Sequence, residues 1–187
     1  MPSSKTDIAN LALFHIGESR VSNIETEAVE RARVINQVYD HTRDALLQQY
    51  PWRFCLKRAS LAPSAEPPPW GYRHGFPVPV DYLALREVMG EPQYTVEGRE
   101  ILTNSNAPLL IRYHSSITDE SIFPPLFVEA FAFKLAHTVC ERLTQSASKK
   151  DGLLQGFGYA LNQAYTAEAI EGSSEYLPES DWLIARR

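Results

Sequence analysis

The sequence lacks the features that mark secreted, membrane-spanning and nucleic-acid-wrapping proteins. Its 187 residues include two cysteines, Cys55 and Cys140, which are too few and too far apart for the disulfide framework of a secreted scaffold. No apolar run approaches the ~20 residues that a membrane-spanning helix needs. The net charge of −5 contrasts with the strong basic excess of proteins that grip nucleic acid. We therefore expect a soluble protein with reduced thiols, made in a cytoplasm and without a membrane partner.

Signatures of common enzymes are also missing from the sequence. There is no G-x-S-x-G elbow, P-loop, G-x-G-x-x-G turn, H-E-x-x-H pair or zinc-type spacing of Cys and His. His137 and Cys140 lie three residues apart and could share a metal ion, but they fall in the most apolar stretch of the chain. We favour a place in the core for both, and we expect no catalytic residue, no metal and no cofactor.

Four carboxylates near predicted turns or strands keep one enzymatic alternative open. A glycosidase needs two carboxyl groups roughly 5 to 9.5 Å apart across a cleft. The candidates are Glu18, Glu25, Asp81 and Glu87. Because any acidic protein offers such a set, we favour ordinary solvated carboxylates and keep a glycan hydrolase as the alternative.

Two further groups of side chains suggest contacts with a partner. The basic group could meet phosphate or an acidic protein, although outward charges on a strand are also ordinary protection of a sheet edge. The aromatic group fits either a strand with one aromatic face or a carbohydrate platform, and we favour packing within a sheet. The basic group is Arg53, Lys57 and Arg58, and the aromatic group is Trp70, Tyr72 and His74.

The 44% apolar content is enough for one domain with a real core. Apolar residues spaced three and four apart, helix caps and prolines predict helices at 4–17, 26–50, 124–145 and 148–171. The third of these is apolar nearly all round and should be the buried one. Alternation that begins at Trp52, followed by short apolar runs between turns, predicts a β insertion over 52–117.

These elements predict a mainly α fold. We expect a helical bundle of about four helices with a small β insertion in the middle and an extended C-terminal tail. Residues 1–174 form the predicted domain, and residues 175–187 form the tail.

The last predicted helix carries a stripe of small residues, Gly152, Gly156, Ala160 and Ala164. Three glycines in this helix cost propensity at roughly 1 kcal/mol each, so close packing should compensate for them. The partner would be a helix of the same subunit or of a neighbouring one.

The predicted tail is unusually apolar for a segment that follows a Gly-Ser-Ser break. Its side chains Tyr176, Leu177, Trp182, Leu183 and Ile184 would expose a large patch if left free in water. Either the protein's own core or a partner should cover them.

Four groups of motifs follow one another along nearly the whole chain. In order they are Ile8-Ala9-Asn10-Leu11-Ala12-Leu13 with Ile16-Gly17-Glu18, Tyr50-Pro51-Trp52-Arg53-Phe54 with Lys57-Arg58-Ala59, Trp70-Gly71-Tyr72-Arg73-His74 with Pro79-Val80-Asp81-Tyr82-Leu83, and Phe123-Pro124-Pro125. This succession resembles the head-to-tail adaptors of short-tailed double-stranded DNA phages, a family that includes tail tubular protein A and the packaged-DNA stabilisation proteins.

The resemblance implies a structural virion protein at the head–tail junction, assembled in the host cytoplasm. It implies a ring of about twelve copies beneath the portal protein. This ring would seal the packaged genome and bind the next tail protein, a nozzle or tube. Double-stranded DNA would pass through the lumen without sequence-specific binding, which the acidic balance favours. The portal-docking residues would be Tyr176, Leu177, Trp182, Leu183, Ile184, Arg186 and Arg187. The alternative function is a virion-associated cell-wall or glycan hydrolase.

Overall fold

The computed structural model describes residues 4–90 and 92–171, where four α-helices flank six short strands along the chain. The helices are α1 (Lys5–Ile16), α2 (Glu30–Gln49), α3 (Pro125–Thr144) and α4 (Ala147–Glu171). The strands are β1 (Leu56–Leu61), β2 (His74–Pro77), β3 (Tyr82–Val88), β4 (Tyr94–Glu97), β5 (Glu100–Thr103) and β6 (Leu109–Ser115). Short 3₁₀ turns at Arg53–Cys55 and Glu120–Ile122 precede β1 and α3.

The predicted mainly α fold with a small β insertion is wrong. Helices make up 49% and strands 19% of the structure, and the strands form two three-stranded antiparallel sheets, so the fold is a mixture of α and β. The sheets have the orders β1-β6-β3 and β2-β5-β4. They share an apolar core of their own, distinct from that of the helices. Its buried members are Leu61, Phe76, Val78, Val88, Ile101, Leu109, Ile111 and Tyr113.

Helix α3 is the centre of the helical layer, because α1, α2 and α4 all pack against it. Nine of its side chains are buried, among them Phe127, Phe131 and Leu135. Pro125 suits the first turn, where its missing N–H has no partner to lose. The sequence predicted this helix as the buried one, and the structure confirms it.

Helix α1 begins and ends where its sequence signals place it. The Ser4 hydroxyl accepts from the Asp7 N–H at 3.1 Å, and the Asp7 carboxylate accepts from the Ser4 N–H at 3.0 Å, which completes a capping box. Gly17 ends the helix with φ of +79°, a left-handed conformation that glycine adopts without strain.

Helix α2 begins at Glu30, four residues later than predicted. The Asn23 side-chain oxygen accepts from the N–H groups of Glu25 at 2.7 Å and Thr26 at 3.2 Å. Such local hydrogen bonds stabilise a turn in competition with the helix. The amphipathic pattern therefore extends further along the chain than the helix does.

The predicted strand at Trp52 is also wrong in its first residues. Trp52 and Cys55 are both buried, whereas alternation along a strand would place them on opposite faces. The 3₁₀ turn over Arg53–Cys55 explains this, since residues three apart eclipse one another in that geometry. The strand begins only at Leu56.

A buried arginine lies where α2 meets the first sheet. Arg43 is 5% exposed, and its guanidinium contacts Asp40 at 2.8 Å and Asp44 at 2.9 Å. The hydroxyl of Ser116, just beyond β6, donates to the same Asp44 carboxylate at 2.9 Å. A buried charge is tolerated only when it is paired, so this network fixes the position of the helical layer relative to the sheet.

Candidate functional site

The small-residue stripe on α4 packs mainly within the chain. A Cβ atom added to Gly156 would lie 2.6 Å from Phe133 Cε1 on α3, so glycine is required for the close approach of these two helices. Ala160 and Ala164 are each 4% exposed and leave little surface for a neighbouring subunit. Gly152 differs, because a Cβ there would meet nothing within 4 Å. A contact of this stripe with another subunit stays a prediction, and the structure leaves only Gly152 open for it.

The predicted portal-docking residues, Tyr176, Leu177, Trp182, Leu183, Ile184, Arg186 and Arg187, lie outside the described residues.

Helix α4 bears apolar side chains on more than one side. Leu153, Phe157, Ala160 and Ala164 are buried. Large apolar residues elsewhere on the same helix are exposed, namely Leu154, Tyr159, Tyr165 and Ile170. Packing against α3 does not cover these four side chains, so they are available for contact with another chain. The spacing of Leu154, Leu161 and Tyr165 in the sequence places these three residues on one side of the helix.

The strands and the loops between them carry the second group of exposed apolar side chains. Trp70, which we expected to pack within a sheet, is 85% exposed. Tyr72 is half-buried, and its hydroxyl lies 3.1 Å from the Thr95 hydroxyl. His74 is half-buried in β2. The other exposed residues of this region are Val80, Met89, Tyr94, Val96 and Leu110.

Three of the four candidate carboxylates are ion-paired with different basic side chains. Glu25 contacts Lys5 at 3.2 Å, and Glu87 contacts Arg112 at 3.0 Å. These partners occupy both carboxylates without placing them in a common cleft. The fourth, Glu18, is half-buried just after α1.

Asp81 is the carboxylate with the most contacts of the four. Its carboxylate accepts from Lys57 Nζ at 2.6 Å and from the Tyr113 hydroxyl at 3.0 Å. The hydrogen bond from Lys57 is the main reason that the pKa of Asp81 lies below its usual value. A permanently ionised carboxylate that is held by an ammonium group suits a structural role better than proton transfer.

The basic group does not form one anion site. Lys57 is committed to Asp81, whereas at Arg53 it is the backbone N–H, and not the guanidinium, that donates to the Glu168 carboxylate of α4. Arg58 is exposed on β1 and lies opposite Arg112 in the sheet.

His137 and Cys140 occupy α3, as predicted. Cys140 is fully buried, and its thiol lies 3.3 Å from the Thr144 hydroxyl. His137 is half-buried, and its pKa is lowered mainly by burial. Within residues 4–90 and 92–171, no group of three or more His, Cys, Asp or Glu side chains could hold a metal ion. In the same residues, no helix combines the length and apolarity needed to cross a membrane.

A cleft of about 550 Å³ lies beside β5. Its acidic lining consists of Glu66, Glu97 and Glu100, and Glu100 accepts from the Ser64 hydroxyl at 2.6 Å. Prolines 67–69 form another part of its wall. The lining offers carboxylates but no positively charged group that would orient a second reactant.

Comparison with models of known protein families and with curated proteins finds no match for this chain. A functional assignment therefore depends on the surfaces described above and on the motifs of the sequence.

Proposed function

We propose that this chain is a structural subunit of the ring that connects the portal of a short-tailed phage to its tail, and that it is not an enzyme. The ring would contain about twelve copies, seal the packaged genome and form part of the channel for DNA ejection. Its partners would be the portal protein and the next tail protein, at the head–tail junction of the virion.

The observation that carries this proposal is the presence of exposed apolar side chains on two separate parts of the subunit. One group lies on α4 and the other on the strands and the loops between them. A ring is built from heterologous contacts, in which each copy presents two different surfaces to its neighbours. A small domain with apolar side chains at two places meets that requirement, and the motif order along the sequence points to the same family.

The carboxylates support the non-enzymatic part of the proposal. Glu25, Asp81 and Glu87 are each neutralised by a basic side chain. A glycosidase instead needs one protonated and one ionised carboxyl group facing the same bond.

The test is assembly on the portal protein of the same phage, measured by native mass. We expect no ring from the chain alone and a ring of about twelve copies once portal is added. Trp182→Ala should weaken this association by about 2 kcal/mol or more, because a buried tryptophan is the commonest interface hot spot. Phe14→Ala is the matched control, since Phe14 is 75% exposed on α1 and belongs neither to the docking segment nor to either group of exposed apolar side chains. A product that holds only a few copies per portal would contradict the proposal.

A further inference from the structure

The two sheets carry charges of opposite sign on their outer faces. The buried residues that the sheets share form the inner face of each sheet, because the two inner faces meet at that core. Side chains alternate between the faces of a strand, so residues between core positions lie on the outer faces, which point away from each other. Arg112 lies between the core residues Ile111 and Tyr113, and Glu100 precedes the core residue Ile101.

The outer face of the sheet β1-β6-β3 has two arginines directly opposite one another, Arg58 on β1 and Arg112 on β6. Like charges in directly opposite positions destabilise a sheet. Glu87 relieves Arg112 through a contact of 3.0 Å, whereas Arg58 is exposed and has no ion-pair partner among the described residues. Leu110 is exposed on the same face, two positions before Arg112. This face therefore presents an unneutralised guanidinium beside an apolar side chain.

The outer face of the sheet β2-β5-β4 has the opposite arrangement, with Glu97 on β4 directly opposite Glu100 on β5. Both line the cleft beside β5, together with Glu66 and the apolar wall of prolines 67–69. The Ser64 hydroxyl donates to Glu100 at 2.6 Å. Glu66 and Glu97 are exposed, and within residues 4–90 and 92–171 neither has an ion-pair partner. This cleft is therefore an unneutralised acidic surface.

We propose that the face with Arg58 and Leu110 on one copy of the chain docks into the acidic cleft of the next copy and forms the lateral contact of the ring. The proposal rests on the function proposed above and names the surfaces through which neighbouring copies meet. The contact is heterologous, because one copy uses one sheet and its neighbour uses the other. Every copy can then have a neighbour on each side.

The two like-charged pairs match in spacing and in chemistry. Residues directly opposite in antiparallel strands have Cα atoms about 4.5–5.5 Å apart, so the two arginines and the two glutamates repeat at the same interval. A guanidinium is planar and binds a carboxylate through two parallel hydrogen bonds. Docking would place Arg58 beside Glu97 and Leu110 against the prolines. Two repulsions within the subunit are then offset by attraction between subunits.

A neighbouring copy fits the arginine face better than DNA does. Proteins that hold DNA neutralise several phosphates with lysine and arginine. The pair on this face offers two guanidinium groups, one of which is already paired with Glu87, and the whole chain carries a net charge of −5. A partner with two closely spaced carboxylates suits this face, and the chain itself supplies one.

Sedimentation equilibrium of the full chain without portal tests the contact. At low ionic strength and up to about 1 mM, where a millimolar contact is populated, we expect the wild type to form dimers and short open chains. Added salt should weaken them. Arg58→Glu and Glu97→Arg should each raise the dissociation constant by roughly tenfold or more, because each places like charges at the contact.

The two variants should restore association when they are mixed in equal amounts, because each supplies the charge that the other lacks. The double variant Arg58→Glu/Glu97→Arg should associate like the wild type for the same reason. Arg20→Glu is the matched control, since Arg20 is exposed in the link between α1 and α2 and the change in net charge is the same. Unchanged thermal unfolding of each variant verifies that the fold is intact.

Four results would overturn the proposal. The wild type stays monomeric at every concentration, a single reversal associates like the wild type, or the mixture of the two variants stays monomeric. In the fourth, the wild type binds a DNA duplex that Arg58→Glu does not bind and shows no self-association, which would assign this face to DNA. Because portal is absent from this experiment, its failure is distinguishable from a failure to form rings on portal.

Discussion

Replacing Gly156 with alanine probes the contact between α3 and α4 directly. The added Cβ would lie 2.6 Å from Cε1 and 3.0 Å from Cδ1 of Phe133, closer than carbon atoms pack. The Phe133 ring also stacks on the His15 imidazole with a centroid distance of 3.9 Å, so a shift of the ring disturbs this second contact. The change therefore strains α1, α3 and α4 together.

The size of the change in the free energy of unfolding follows from two opposing effects. Alanine is more favourable than glycine inside a helix by roughly 0.8–1.0 kcal/mol. Forcing a methyl group into a packed contact costs roughly 1–3 kcal/mol. At Gly152, where a Cβ meets nothing within 4 Å, only the first effect operates. The free energy of unfolding of Gly156→Ala should thus be lower than that of Gly152→Ala by about 1–3 kcal/mol. Each kcal/mol corresponds to a difference of roughly 2–4 °C in Tm for a chain of this size.

The measurement is urea and thermal unfolding of the wild type and both variants. We expect Gly152→Ala to unfold at a higher temperature than the wild type, and Gly156→Ala to unfold below Gly152→Ala. Adding Phe133→Leu to Gly156→Ala should recover part of the loss, since the smaller side chain makes room for the methyl group. Equal stabilisation by the two alanines would refute the argument that Gly156 is required for the close approach.

Two further changes test the sheets and their junction with α2. The lowered pKa of Asp81 means that its ion pair with Lys57 contributes stability above the ordinary carboxyl pKa of 3.8 and loses it as pH falls through the lower value in the folded protein. Asp81→Asn should therefore destabilise the protein by about 0.5–1 kcal/mol at pH 7, with the difference from wild type disappearing in acid; a constant difference in urea unfolding across pH would contradict this. Trp52→Phe removes the indole N–H that donates to the Leu46 carbonyl at 2.9 Å in the last turn of α2, and it leaves a void at a 1% exposed site. We expect a loss of about 2 kcal/mol or more, read from the urea midpoint, and an unchanged midpoint would show that water replaces the indole at this carbonyl.

The sequence predicts the helices best where local chemistry determines them. Ser4, Asp7 and Gly17 define both ends of α1 through hydrogen bonds and a left-handed residue, which depend on few neighbours. The apolar character of α3 likewise reflects its central position. The start of α2 was misplaced because Asn23 forms a turn that no hydrophobic pattern reveals.

The sheets were underestimated for a different reason. Strands β2, β4 and β5 contain four residues each, too few to display an alternation. Their stability comes from pairing with one another and from a core shared with the other sheet, which includes Phe76, Ile101 and Ile111. Those contacts are distant in sequence and could not be predicted from any local window.

For the candidate site, the residue types indicate what kind of contact forms, but they do not indicate which helix or subunit lies on the other side of it. Gly156 of the predicted stripe lies in close contact with α3, whereas Gly152 does not, and which helix a small residue meets depends on tertiary structure. The exposure of Leu154 and Tyr165 is likewise a consequence of where α3 lies, since the same residues would be buried if α3 packed about one quarter turn further around α4.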